Sequence, residues 1–392
     1  MIIYNKTWLA NLIIHEQVQQ DLSSGTLSSE EVKNIEKAYP VGFYSPNIFV
    51  RIGLFLLANV IVSFSGGLFA LFVSDLRFIA PEVWLLAAGI ACYFGLETIV
   101  KQSHHYRSGA DDALLWLSGG MVFGALNLLT EPVLNNYKDT IFMMFNAGFL
   151  FGIGLFLSLR FADRLMSVLT FLAFVGCIGF FWISAVSFGT ATLPLLVMIL
   201  SASAYFYFSK KMTSLNAVYY LHCLKFLRVA SLLVLYLAGN YFIVKQLGTQ
   251  LLAADGVYEV PLPYLFWTWT FVIPFVYIFY GIRKRDMILL RSGLILVAAA
   301  GFTFRNYYHV MPAELTLVII GLILLAASYA IIRYLKTPKY GITYEDLNQG
   351  GLSDQLKIES LIVAEMPTGA EIPQENRFGG GSLGGGGASG TF

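Results

Sequence analysis

Charge is scarce in this chain. Asp, Glu, Lys and Arg together make up 12% of its 392 residues, about half the ~25% of an ordinary soluble domain. So few charges do not cover the surface of a water-soluble fold, and a soluble globular protein is not expected. The formal net charge is +1, so no bulk field draws a polyanion, and nucleic acid is not an expected partner. Cysteine is scarce too. Cys92, Cys177 and Cys223 are odd in number, far apart and outside any CxxC pair, which argues against a disulfide framework or a zinc site and reads as small buried hydrophobes. The sequence also lacks G-x-S-x-G, H-E-x-x-H and paired aspartates inside its apolar runs. Nothing points to an enzyme, and no cofactor or metal is expected. The apolar patch from Trp8 to Ile14 is broken by Asn11 and followed by His15 and Glu16, too short and polar for a cleavable signal. The first spanning helix is expected to direct insertion and to stay in the mature protein.

What is abundant is apolar length. Hydrophobic residues reach 57% and aromatic residues 15%, with 32 Phe and 22 Tyr, which suits lipid-facing and interfacial surfaces. About ten apolar runs come near the ~20 residues a helix needs to cross a bilayer. They lie at roughly 48–73, 78–100, 112–131, 139–159, 165–187, 190–209, 220–245, 263–281, 287–304 and 314–333, with edges uncertain by about ±2–4 residues. Their connections are mostly short, as between antiparallel neighbours. The segment around 246–262 is the longest, and its Gly256, Pro261 and Pro263 oppose a long helix there. The fold class is all-α, a polytopic transmembrane helix bundle, and the bilayer is its first partner. Gly120-x-x-x-Gly124 and Gly148-x-x-x-Gly152 are small-residue spacings expected at helix contacts.

Residues 1–47 precede the bundle and read as a helical hairpin. Trp8, Leu9, Leu12 and Ile13 share one helical face, and Gly25 breaks the chain. Ser28 and Glu31 form an S-x-x-E capping box flanked by Leu27 and Val32, and Pro40 ends the second stripe. The two stripes are expected either to pack on each other or to lie on the membrane surface.

Lys and Arg placement sets the expected orientation. With the amino terminus cytoplasmic, the hairpin, the inner flanks of the bundle (48–333) and the start of the tail hold 19 of these residues, outer flanks hold Arg77, Lys138, Lys245 and Arg305, and Lys357 and Arg377 deep in the tail complete the 25. Even parity then returns the carboxyl terminus to the cytoplasm, and the expected location is a bacterial cytoplasmic (inner) membrane. Residues 334–392 form a cytoplasmic tail, mildly acidic in its middle and glycine-rich at its end. That end buries too little apolar area to offset ordering and is expected to be a flexible coil.

Few ionisable groups fall inside the runs, where each is costly. Glu97 and Lys101 stand at i,i+4 near the inner end of the second run. They read as an interfacial ion pair or, with His104, His105, Asp111 and Asp112 of the next loop, as a proton or cation site. Arg305 is placed to pair with Glu131 or Glu314 and close the outer mouth, or to act as an interfacial anchor. Pro274, in a run that also holds Trp267, Trp269, Tyr277 and Tyr280, frees the carbonyl of Thr270 and predicts a kink of the kind that lines transport sites.

The hairpin segment Gly25-Thr-Leu-Ser-Ser-Glu-Glu31, followed by a first run with Ile52-Gly53-Leu54 and Gly66-Gly67, resembles a family of multipass bacterial membrane proteins of unknown function. That resemblance implies a hairpin-plus-bundle fold and no catalytic residue. The terminal segment from Phe378 to Phe392, with Ala388-Ser389-Gly390 before the last aromatic, is similar to the carboxyl termini of TPM-domain membrane proteins. It implies a short recognition tag for a cytoplasmic protein, read through Phe378, Ala388, Ser389 and Phe392, or else a compositionally biased end. Two functions remain: a non-enzymatic scaffold or regulatory membrane protein that contacts a cytoplasmic partner through hairpin or tail, and a transporter or channel for a small solute with a site near the kinked eighth run.

Overall fold

The computed structural model describes residues 2–23, 25–74, 80–134, 139–212, 214–252, 260–284 and 286–308, with seven isolated positions between 318 and 333. Most of the tenth run and the whole tail lie outside this set, and so do the tag residues Phe378, Ala388, Ser389 and Phe392.

The described residues form an all-α structure with no strand. The hairpin comprises α1 (Lys6–Ser23) and α2 (Ser29–Ala38). Long helices follow: α3 (Ile48–Ser74), α4 (Pro81–Gln102), α5 (Ala110–Leu134), α6 (Asp139–Phe161), α7 (Arg164–Ala185) and α8 (Gly189–Lys211). A short 3-10 helix (Leu215–Tyr220) leads into α9 (Leu221–Gly239), then come α10 (Tyr241–Leu252), α11 (Pro263–Lys284) and α12 (Met287–Tyr308). Nine described helices are long and apolar enough to cross a bilayer, and they coincide with the first nine predicted runs. The protein is an integral, multipass membrane protein.

Helix starts are marked by polar caps. Ser28 Oγ accepts from Glu31 N at 3.3 Å while Glu31 Oε2 accepts from Ser28 N at 2.8 Å, the predicted box. Asn47 caps α3 through Val50 N (3.0 Å), Asp163 caps α7 through Met166 N (2.7 Å), and Asp286 caps α12 through Ile288 N (3.0 Å). Each satisfies an orphan amide where the chain leaves water, worth ~1 kcal/mol.

Sequence neighbours pack in pairs: α4 on α5, α6 on α7, α8 on α9 and α11 on α12. In the second half α9 is the hub, touching α7, α8, α10, α11 and α12, whereas α3 rests mainly on α5 and leaves most of its surface to lipid. The hairpin is not a loose appendage. Its helices pack on each other, and Tyr4, Leu9 and Phe43 join Leu96, Val100, Leu115, Phe161 and Met166 in one buried cluster. We call this the hairpin end of the bundle.

Two expectations need correction. The run 220–245 is not one helix: the chain breaks at Asn240, and α10 carries on through residue 252 into what read as a loop. A polar residue after Gly239 stops the span although hydrophobicity runs past it. The two G-x-x-x-G motifs also do not pack as units, since a methyl group at Gly120 or Gly152 would meet open space. The close approaches fall elsewhere, as at Gly293, where a Cβ would stand 3.0 Å from the Pro274 carbonyl oxygen.

Candidate functional site

The most elaborate polar structure lies at the hairpin end, built around residues 103–109 between α4 and α5. His104 (φ 52°), Arg107 (φ 51°) and Gly109 (φ 96°) all take left-handed backbone conformations. For His104 and Arg107 this costs on the order of 1–3 kcal/mol each and requires over-determination by the surroundings. Three sets of contacts supply it. Tyr44 N donates to the His104 carbonyl (3.0 Å) and Tyr106 N to the Tyr44 carbonyl (3.1 Å), a single β-bridge that staples the hairpin exit to the loop. Asp111 accepts from Arg107 N, Ser108 N (both 2.8 Å) and Ser108 Oγ (2.9 Å). Gly109 lies so close to the start of α3 that a Cβ would stand 2.0 Å from the Arg51 carbonyl oxygen.

Around the loop sits an aromatic box. Phe43 stacks on Tyr106 (4.9 Å between centroids), Tyr4 meets both edge-on (5.8 and 5.1 Å), and Trp8 meets Phe43 (5.3 Å) and the His104 ring (5.1 Å) edge-on. Each pair adds about 0.5–1.5 kcal/mol beyond its burial. Burial pushes the Tyr106 phenol up to about 12, and burial raises Tyr4 as well, so both stay neutral. Ile3 N donates to the Arg160 carbonyl (3.0 Å), tying the amino terminus to the end of α6.

The six residues predicted as one inner-face site separate into four arrangements. Glu97 accepts from Lys101 (3.0 Å) and from Arg160, a partner on α6 not visible in the sequence. Asp112 holds Arg51 of α3 at 2.6 Å. His104 packs on Trp8. His105 Nδ1 lies 2.7 Å from Ser108 Oγ, whose proton goes to Asp111. The relay therefore runs His105 to Ser108 to Asp111. With the serine hydroxyl donating to the carboxylate, His105 Nδ1 must donate to the serine, and no base is left to activate that oxygen as a nucleophile. Burial lowers the His105 pKa, with Asp111 opposing, so the neutral ring is favoured.

Behind the loop is a cavity of about 10 Å³ bordered by Tyr4, Tyr106, Arg107, Asp111, Asp112 and Asp163. That is room for one water. Burial raises the Asp163 carboxyl, while the Met166 amide bond and Arg107 pull the other way. Among the described residues no group of three His, Cys, Asp or Glu is arranged to hold a metal ion.

Pro274 and Arg305 belong to a second arrangement in the other half. Pro274 is fully buried. The Thr270 carbonyl that it frees accepts from the Tyr236 hydroxyl at 3.4 Å. Asn240 Nδ2 donates to that hydroxyl (3.1 Å) and to Thr303 Oγ1 (3.0 Å), while its Oδ1 caps α10 through Phe242 N (3.0 Å). Thr270 Oγ1 accepts from Tyr241 N (3.0 Å). Three side chains from α9, α11 and α12 and that of Asn240 at the helix junction close a neutral network. Arg305 is half-buried and Glu131 exposed, and among the described residues no ion pair joins them; Glu314 lies outside the described set.

Sequence reading passed over Tyr4, Phe43, Tyr106, Arg160 and Asp163, because aromatic residues and helix-end charges are common in any membrane protein. Asn240 did carry a signal, a Gly-Asn step inside an apolar run. Compared with models of protein families, with characterised proteins and with solved structures, the chain gives no significant match, so the multipass architecture stands without a family.

Proposed function

We propose that this is a non-enzymatic scaffold or regulatory protein of a bacterial cytoplasmic membrane, with both termini inside the cell and the hairpin as its contact surface. The observation that carries the reading is the docking of the hairpin. The aromatic box and the Tyr44–His105 bridge tie α1 and the hairpin exit to the bundle, and α2 packs on α1 with Glu30, Lys33, Asn34 and Lys37 turned outward. A mixed-charge helix held in one orientation suits recognition of a partner, since less ordering is needed on binding. The tail, through Phe378, Ala388, Ser389 and Phe392, is a second proposed contact. The His105–Ser108–Asp111 chain supports structure here, not catalysis.

The test is photocrosslinking in cells from Lys33 and Lys37, with lipid-facing Phe64 as control. A discrete crosslinked species from the hairpin positions, absent from Phe64 and lost in Trp8→Ala, is expected. Identical patterns from all three positions would overturn the reading. Fusions of a reporter active only in the cytoplasm, at either end, check the orientation.

A second reading is a transporter for a small solute near Pro274. The Tyr236 bond to the freed Thr270 carbonyl is long, at 3.4 Å, so that oxygen retains accepting capacity. A solute that raises the melting temperature of wild type and not of Pro274→Ala would favour it.

A further inference from the structure

A large cavity lies away from both polar sites. It is a groove of about 750 Å³ between α6, α7, α8 and α9, reaching from the hairpin end toward the middle of the bundle. Its deep part is apolar, with Phe151, Phe174, Leu200 and Leu227. Toward the hairpin end, Ser158, Ser167 and Tyr220 donate to the carbonyls of Leu155 (3.1 Å), Arg164 (2.6 Å) and Leu159 (2.7 Å), and Ser203 and Tyr207 of α8 add two hydroxyls to the wall. The one charged group on the wall is Lys211, exposed at the last turn of α8, which makes no ion pair among the described residues.

Length decides what fits. From Leu200 to Lys211 is eleven residues of helix, or ~16 Å at 1.5 Å each. This equals about half of the ~30 Å hydrocarbon core, one leaflet. We propose that the groove binds a single anionic phospholipid of the surrounding membrane, with one acyl chain along α8 and its phosphate at the Lys211 ammonium. The occupant is anionic because the one charged group on the wall is a cation. It is a chain because the remainder of the wall is mainly apolar, with Phe151, Leu155, Phe174, Leu200 and Leu227. It comes from the bilayer because the groove opens at leaflet depth. This site is separate from the hairpin surface and does not depend on the role assigned there.

The experiment is native mass spectrometry of the full chain in detergent with added phosphatidylglycerol or phosphatidylcholine of matched acyl chains. Wild type should retain one phosphatidylglycerol about fivefold more tightly than phosphatidylcholine, the order expected for one lysine beside an anionic headgroup. Lys211→Gln should remove the preference while still retaining lipid. Ser203→Phe, at an exposed position on the groove wall, should reduce retention of both. Lys37→Gln, on the hairpin, should leave the preference intact. Equal retention of the two lipids by wild type overturns the proposal whether or not the variants fold. So does a phosphatidylglycerol preference that survives both Lys211→Gln and Ser203→Phe.

Discussion

The hairpin end and the Asn240 region solve the same problem with different chemistry. Both accommodate polar groups where helices pack together. At the hairpin end the groups are ionic: Glu97 with Lys101 and Arg160, Arg51 with Asp112, and Arg228 with Asp286. Around Asn240 they are neutral, an amide, a phenol and two threonine hydroxyls. Ion pairs survive where long side chains reach interfacial water, because part of the desolvation cost is avoided. Where the helices α9, α11 and α12 close on themselves, a charge would have no such outlet, and dipoles that satisfy one another are the stable alternative.

The largest expected effect tests backbone fit rather than polarity. Gly109→Ala places a Cβ against the Arg51 carbonyl in a left-handed conformation. It should cost roughly 2–4 kcal/mol, read as a lower melting temperature in detergent and as faster proteolysis between hairpin and bundle. If Gly109→Ala melts like wild type, the hairpin end is softer than its contacts say.

Next comes Asn240→Leu. It removes the α10 cap and one hydrogen-bond partner each from the Tyr236 and Thr303 hydroxyls, for a loss of roughly 2 kcal/mol, and the loss should not change with salt. Glu97→Gln should cost less, about 1–2 kcal/mol, since the carboxylate is partly exposed. Unlike the first, its penalty should shrink as ionic strength rises. Equal salt responses would erase the proposed contrast between the two ends.

The smallest effect is in pH. His105 has its folded pKa lowered below the ~6.5 of an unfolded histidine. The folded state then binds fewer protons, so this contribution is full above about 6.5 and lost as pH falls through the window beneath it. Glu16 is lowered by its bond to His222, so its contribution is lost only on further acidification below about 4.3. Melting curves between pH 7 and 5 should show the first decline in wild type and a flatter profile in His105→Asn. Asn240→Leu should keep the wild-type pH slope.

Particular residues show where sequence reading succeeded. Ser28 and Glu31 form their capping box as the spacing demanded, because a cap is decided within four residues. Nine apolar runs became nine long helices because length and hydrophobicity are local sums. The Asn240 break escaped for the opposite reason: its stop is enforced by Thr303, 63 residues away. The inner-face cluster was legible as a neighbourhood but not as a pairing. Glu97 and Asp111 are fourteen residues apart, and the rotation of α4 and α5 about their axes sent one to Arg160 and the other to the loop backbone.

Composition and periodicity by themselves determined that this polypeptide lives in hydrocarbon, how many times its described part can cross it, and where its first helices start. Those properties are additive along the chain. Which charges meet, where the hairpin sits, and that a groove one leaflet deep ends at a solitary lysine were decided only when helices distant in sequence packed together. Pair contacts depend on helix rotation and depth, and a few degrees of either exchanges one partner for another.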